Sequence, residues 1–67
     1  MITLRAARYN KGLNLADAAK RIGVNQYTLR NYERCLSFPT VPVIKKIEKV
    51  YEIPFSEINF FCESKAL

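Results

Sequence analysis

Apolar residues recur along this chain at intervals of three and four, the spacing of one face of a helix. Leu4 and Ala7 predict a first helix, opened by Thr3 and running to about Lys11, where Asn10, Lys11 and Gly12 end it; Tyr9 falls on or near its apolar edge. Leu13 returns apolar surface to the core, and Asn14 is placed to cap a second helix. In that second helix Leu15, Ala18, Ala19 and Ile22 share one face, while Lys20 and Arg21 lie opposite and suit the negative end of its dipole. Gly23 then stops it, because a glycine just past the last periodic residue can take the left-handed conformation. Only Val24 intervenes before Asn25, a side-chain cap for the next helix.

So short a connection makes the third helix cross the second steeply. Small Ala19 lets the two backbones approach, and Val24 and Leu29 fill the angle between them, so residues 15–34 read as a helix-turn-helix. Residues 35–38, Cys35 to Phe38, form a loop closed by Pro39. Leu36 and Phe38 are unusually apolar for a loop, so either they tuck under the domain, the preferred expectation, or they form part of a contact surface. Thr40 reads as the N-cap of a fourth helix, with Pro42 tolerated in its first turn. There Val43, Ile44, Ile47, Val50 and Tyr51 make an amphipathic stripe, with Lys45, Lys46, Glu48, Lys49 and Glu52 toward water. Ile53 and Pro54 break that helix, and Phe55, Ile58 and Phe61 at three-residue spacing predict a short fifth helix or helical turn. The tail, residues 63–67, is expected to fray.

A length of 67 residues narrows this to one domain, residues 1–67, of all-α class. So short a chain buries a limited core and gains from association with a second copy. No apolar run is long enough to span a membrane, and Arg5 stands where a signal peptide needs its apolar centre, so a cytoplasmic protein without membrane contact is expected. Cys35 and Cys62 are the two cysteines, and histidine is absent. Isolated thiols without histidine do not make a zinc site, and a disulfide is not expected in a reducing cytoplasm, so both read as packing or incidental residues. No metal or other cofactor is expected. With no histidine, paired carboxylates, nucleophile motif or phosphate loop, the chain is not expected to be an enzyme.

Charge changes the picture further. Of the net +5, all lies in residues 1–34, where seven basic side chains face two acidic ones; residues 35–67 carry four of each. A basic half of this kind is drawn to polyanions through phosphate contacts and counterion release. The third helix supplies matching chemistry, because Gln26, Tyr27, Thr28, Arg30 and Asn31 all lie off the Leu29 and Tyr32 stripe. Amides and a guanidinium can pair with purine edges in the major groove, a hydroxyl can reach base or phosphate, and an aromatic can contact a thymine methyl. A solvated polar face is the plainer reading of such residues, and the turn before them weighs toward duplex DNA.

With these residues placed, nearly the whole span 4–61 resembles the lambda-repressor-like helix-turn-helix family, also called the Cro or XRE type. Leu4, Arg5 and Arg8 match its first-helix LRxxR pattern, and Gly12, Leu13 and Asn14 match its turn into the second helix. Ala19, Ile22, Gly23 and Val24 fit part of its LAxxLGV signature, Leu29, Tyr32 and Glu33 its recognition-helix end, and Pro39, Ile47, Ile53 and Ile58 complete the register. The resemblance implies a compact five-helix domain that binds duplex DNA sequence-specifically, as a two-fold dimer on an inverted-repeat operator. It implies base contacts from Gln26, Tyr27 and Asn31, with Thr28 able to touch base or phosphate, and phosphate contacts from Asn14, Arg30, Arg34 and Ser37. Arg8 and Glu33 match a pair that bridges first and third helices. Three residues depart from the pattern. Leu15 replaces a glutamine that helps hold phosphate, Ala18 replaces a larger core leucine whose space Leu36 or Phe38 can fill, and Cys35 replaces the glycine that ends the recognition helix, so a different loop path is expected there.

The expectation is therefore a small phage- or plasmid-type transcriptional regulator acting as a repressor, with residues 26–34 in the major groove. Phe60, left without a core position if Phe55, Ile58 and Phe61 face inward, is the expected dimer contact. The alternative is a protein-interaction module on the same scaffold, an antirepressor or antitoxin, whose partner would be met through Leu36, Phe38 and Phe60.

Overall fold

Short polar side chains fix where the first three helices begin. In the computed structural model, which describes residues 2–60, Thr3 Oγ1 accepts the Ala6 N–H at 3.0 Å and opens α1 (Leu4–Asn10). Asn14 Oδ1 accepts the Asp17 N–H at 2.8 Å to open α2 (Leu15–Ile22), and Asn25 Oδ1 does the same for the Thr28 N–H, at 2.8 Å, to open α3 (Gln26–Glu33). Each cap satisfies an N–H that the helix itself leaves unpaired. The start of α4 (Val41–Tyr51) differs from expectation: Thr40 holds the N-cap position in extended backbone, yet its side chain makes no capping bond.

Gly23 ends α2 at φ 96°, its N–H bonded to the Ala19 carbonyl at 2.8 Å. Backbone conformation, not space, calls for glycine here, since an added Cβ would meet only the end of Lys46, at 3.5 Å. The tight turn lets α2 pack against both α3 and α4. Ile22, Leu29 and Ile47, one from each of these helices, are the largest fully buried side chains, each worth about 1.5–3 kcal/mol of burial. Leu4 and Ala7 of α1 and Tyr51 of α4 close the core around them, with Val24 and Tyr32 packed at its edge.

Of the short fifth helix or helical turn expected here, the described residues show the turn alone. Residues Phe55–Glu57 make a single 3-10 turn whose first N–H, that of Phe55, is capped by the Glu48 carboxylate at 2.6 Å. The chain then extends into β2 (Ile58–Asn59), which pairs in parallel with β1 (Ile2–Thr3), Ile2 opposite Ile58 and Thr3 opposite Asn59. Strand alternation consequently replaces the three-residue period, aiming Ile58 and Phe60 inward. Phe60 is only 7% exposed, whereas Phe55, expected in the core, is 49% exposed. Phe61, Cys62 and the 63–67 tail lie outside the described residues.

The segment after α3 brings two further corrections. Leu36 and Phe38 do not tuck under the domain; they stand 63% and 51% exposed, so they stay at the surface instead of filling in beside the buried Ala18. Phe38 still touches the core edge-on, its ring 5.7 Å from that of Phe60. Cys35, where a different loop path was expected, takes the left-handed conformation itself, at φ 61°. It is also disulfide-bonded, against the expectation of an incidental thiol. β2 leads the chain past the end of α3, leaving Cys35 Sγ 3.6 Å from the Phe60 carbonyl oxygen.

Tyr51 carries the one buried side-chain oxygen without a hydrogen-bond partner among the described residues. Burial pushes its hydroxyl pKa well above the usual value, and the nearby Glu33 carboxylate adds to this. A buried hydroxyl left unpaired contributes desolvation without return. Tyr51→Phe is therefore expected to hold stability level or raise it by about 1 kcal/mol, read as an unchanged or higher urea midpoint. A fall of that size instead would mean that the hydroxyl has a partner in solution.

Candidate nucleic-acid interface

The surface of α3 divides cleanly by helical spacing. Leu29 is wholly buried, and at 100° per residue Tyr27, Arg30, Asn31 and Arg34 project from the opposite side. Tyr27 is 71% exposed, Gln26 and Arg30 are exposed, and Thr28 and Asn31 are half-buried. The stripe thus offers two amides, a phenol, a hydroxyl and a guanidinium within one short helix, with a second guanidinium, that of Arg34, at its C-cap. Asn14, exposed at the start of α2, already gives its Oδ1 to the Asp17 N–H, so its amide NH2 is what it can offer an anion. Ser37 is exposed in the loop beyond α3, whose first turn is closed by the Leu36 N–H donating to the Asn31 carbonyl at 2.9 Å.

One ion pair holds this helix against α1. Arg8 Nε donates to Glu33 Oε2 at 2.7 Å and a terminal guanidinium nitrogen donates to Oε1 at 3.2 Å, a two-pronged bond between side chains only 8% and 7% exposed. The remaining terminal nitrogen donates to the Leu13 carbonyl at 3.1 Å, so the guanidinium also holds the turn between α1 and α2. The hydrogen bond to Glu33 raises the pKa of Arg8 despite desolvation that lowers it, so Arg8 keeps its charge at every physiological pH.

Beside the pair, α1, α2 and α3 enclose an open cleft of about 350 Å³ lined by Arg5, Arg8, Leu15, Arg30, Glu33 and Arg34. Glu33 is occupied by Arg8, which leaves Arg5, Arg30 and Arg34 as excess positive charge around it. Arg5 had no role assigned from sequence. Its neighbourhood is set by α1 spacing: its guanidinium bonds the Tyr9 hydroxyl at 3.1 and 3.3 Å and lies 5.4 Å from the ring centroid, while Arg8 stacks on the same ring at 4.8 Å. The Arg5 hydrogen bond and charge hold the Tyr9 hydroxyl below its ordinary pKa. The signal available in the sequence was the Arg5, Arg8, Tyr9 spacing, which places all three around one turn of a helix.

A helix-turn-helix with a polar, arginine-flanked second helix defines a class, that of DNA-binding domains whose recognition helix enters the major groove. Residues 4–58 match the helix-turn-helix family of the Cro/C1/XRE type, and the chain belongs to that family, one of sequence-specific DNA-binding regulator domains. No curated protein and no solved structure shows a significant match to it. Among the described residues no helix is long and apolar enough to cross a membrane, and no cluster of three or more His, Cys, Asp or Glu could hold a metal ion.

The buried pair gives a direct test. Glu33→Ala leaves a desolvated guanidinium without its counter-charge and is expected to lower unfolding free energy by about 3–5 kcal/mol. A double-mutant cycle with Arg8→Met, followed by urea unfolding, should return a clear coupling energy; additive single effects would mean that the two side chains act independently in solution.

Proposed function

We propose that this domain is a transcriptional repressor of the phage or plasmid type, working in the cytoplasm as a homodimer on an inverted-repeat operator. The reading rests on the polar stripe of α3, set opposite a fully buried Leu29 and bordered by a cleft with excess arginine. In it, Gln26, Tyr27 and Asn31 face base edges, Thr28 reaches base or phosphate, and Arg30, Arg34, Asn14 and Ser37 hold the backbone. Amides suit adenine, accepting from its amino group and donating to its ring nitrogen, and Tyr27 between them rests on a thymine methyl. Arg5 joins the phosphate contacts because it shares the cleft with Arg30 and Arg34. The Cro and C1 branches of the family support the repressor assignment.

The dimer contact is drawn around Leu36, Phe38 and Phe55, three exposed apolar side chains. Phe60 lies behind them, with its ring 5.7 Å from Phe38 and 6.3 Å from Phe55, and serves as their support rather than as the exposed contact. The same patch favours a second reading, a protein-interaction module of the antirepressor or antitoxin kind, in which the partner is a different protein.

Selection of bound sequences from a random duplex pool tests the class, and recovery of one inverted-repeat motif is the expected outcome. On the selected site the logarithm of affinity should fall linearly with the logarithm of salt, with a slope of about 0.9 per phosphate contacted. Salt-independent binding would reject the DNA reading. Asn31→Ala is expected to weaken the preferred site by on the order of 1–3 kcal/mol and to relax preference at one base pair, whereas Arg34→Ala should weaken all sequences evenly and flatten the salt slope by about one contact. An even loss from Asn31→Ala would place the reading face elsewhere. For the dimer, sedimentation on operator DNA should give two copies, and Phe38→Ser should shift the population toward one. A single copy bound in both cases would refute the assembly.

A further inference from the structure

Arg5 stands at the surface of α1 and lines the cleft beside Arg30 and Arg34, where so long a side chain ordinarily samples many rotamers. Here its head is tethered. Nε and one terminal nitrogen both donate to the Tyr9 hydroxyl oxygen, at 3.3 and 3.1 Å, one helical turn along. Tyr9 is placed in its turn by Arg8, whose guanidinium lies 4.8 Å from the ring centroid and is fixed by Glu33 and the Leu13 carbonyl. Contacts therefore run without a break from the buried Glu33, through Arg8 and an aromatic ring that is 58% exposed, to a guanidinium at the surface. We propose that Tyr9 is a positioning residue: it aims the Arg5 guanidinium at a backbone phosphate, a role that rests on the proposed DNA binding.

The count of donors fits this role. A guanidinium carries five N–H groups in a planar fork, and the Tyr9 oxygen engages two of them, which leaves three for an anion. Tyr9 works from outside, since it is not one of the residues that line the cleft. The nature of the tether matters as much as its place. A carboxylate fixes a guanidinium and cancels its charge together, as Glu33 does for Arg8, whereas a protonated phenol fixes it and leaves the charge available. Arg8 is thus held as structure and Arg5 is held as a contact. A donor already set in direction loses less freedom when it binds than a free arm does, so the orientation is realised as affinity.

The experiment uses the full chain and the selected operator duplex at neutral pH. Tyr9→Phe keeps the ring over Arg8 and removes only the acceptor. It is expected to weaken the operator complex by roughly 2- to 10-fold, the worth of one net hydrogen bond, while the melting temperature stays that of the parent. A lowered melting temperature with unchanged affinity would give Tyr9 a purely structural role and overturn the assignment. Arg5→Lys keeps the charge without the fork, and it should lose about as much as Tyr9→Phe. Binding as tight as the parent's would mean that charge alone suffices, which rejects positioning. In an Arg5→Ala background, Tyr9→Phe should have no further effect on affinity; an equal loss in both backgrounds would show that Tyr9 acts on something other than Arg5.

A second readout needs no DNA. Arg5 favours the ionised phenol, by its hydrogen bond first and its charge second, and so holds the Tyr9 pKa below the ordinary value. Arg5→Ala should therefore raise that pKa, followed through the Tyr9 Cζ resonance by NMR in the free chain. A Tyr9 pKa that does not move would mean that the two side chains part in solution, and it would overturn the assignment whatever the duplex shows. Absence of operator binding in parent and variants alike would instead sink the proposed function, and with it the phosphate as the target of Arg5, while the titration still decides whether Tyr9 holds Arg5.

Discussion

The position of α3 depends on a single guanidinium. Arg8 grips Glu33 with two of its nitrogens and the Leu13 carbonyl with the third, so the recognition helix, the first helix and the turn between α1 and α2 are referenced to one planar group. A buried ion pair of this kind is poor evidence of net stability, because desolvation of both partners offsets most of their attraction. Its value is geometric. Leu29 holds α3 against the core and Tyr32 packs at its edge, but apolar contacts are non-directional and resist rolling about the helix axis weakly, and rolling would swing Tyr27, Arg30, Asn31 and Arg34 off a common direction. A planar fork bound at two points resists that rotation.

The same pair decides what the neighbouring cleft can attract. With Arg8 neutralised by Glu33, the charges left over belong to Arg5, Arg30 and Arg34, which border the reading helix instead of lying in the core. Structural charge and available charge are thereby separated within one small volume. The separation extends along the chain, since the second half carries no net charge and contributes the apolar rim at Phe38, Val41 and Phe55. Available positive charge and exposed apolar surface therefore come from different halves of the chain.

How much of this could be read in advance follows from how local each cause is. Thr3, Asn14, Asn25 and Gly23 act within four residues of their own position, and the structure has each doing what its side chain or its freedom at positive φ implies. The Leu29 face and the α4 stripe were legible for the same reason. Thr40 shows the limit, since its place as N-cap was visible but the orientation of its hydroxyl was not. The Arg8 and Glu33 pairing spans twenty-five positions and could be expected only through likeness to a family. The C-terminal element was misread because Phe55, Ile58 and Phe61 fit a helical period, while the decisive partner, Ile2–Thr3, lay at the other end of the chain. Strands two residues long carry almost no periodic signal of their own, although Ile58 and Phe60 do alternate. The exposed polar side chains of α3 were legible as a set from helical spacing, yet Arg5 was passed over because its place in the cleft exists only after three helices have met.

The two ends of α3 are not held alike, and that asymmetry matters for any role on DNA. At its start the helix is fixed by strictly local means, the Asn25 cap and the tight turn at Gly23, which no distant change readily disturbs. At its close local bonds such as the Leu36 N–H to the Asn31 carbonyl are joined by remote determinants: Glu33 answers to α1, and Cys35 lies against Phe60, which follows β2. The loop carrying Leu36 and Phe38 begins at that same point, and Phe38 rests on Phe60 of that segment. A displacement of the C-terminal segment must therefore reach the end of the recognition helix and the exposed apolar face together, whereas the first turn with Gln26 and Tyr27 stays anchored. The end of α3 nearest Glu33 thus depends on distant segments, while the end that bears Gln26 and Tyr27 is oriented by its own cap and turn.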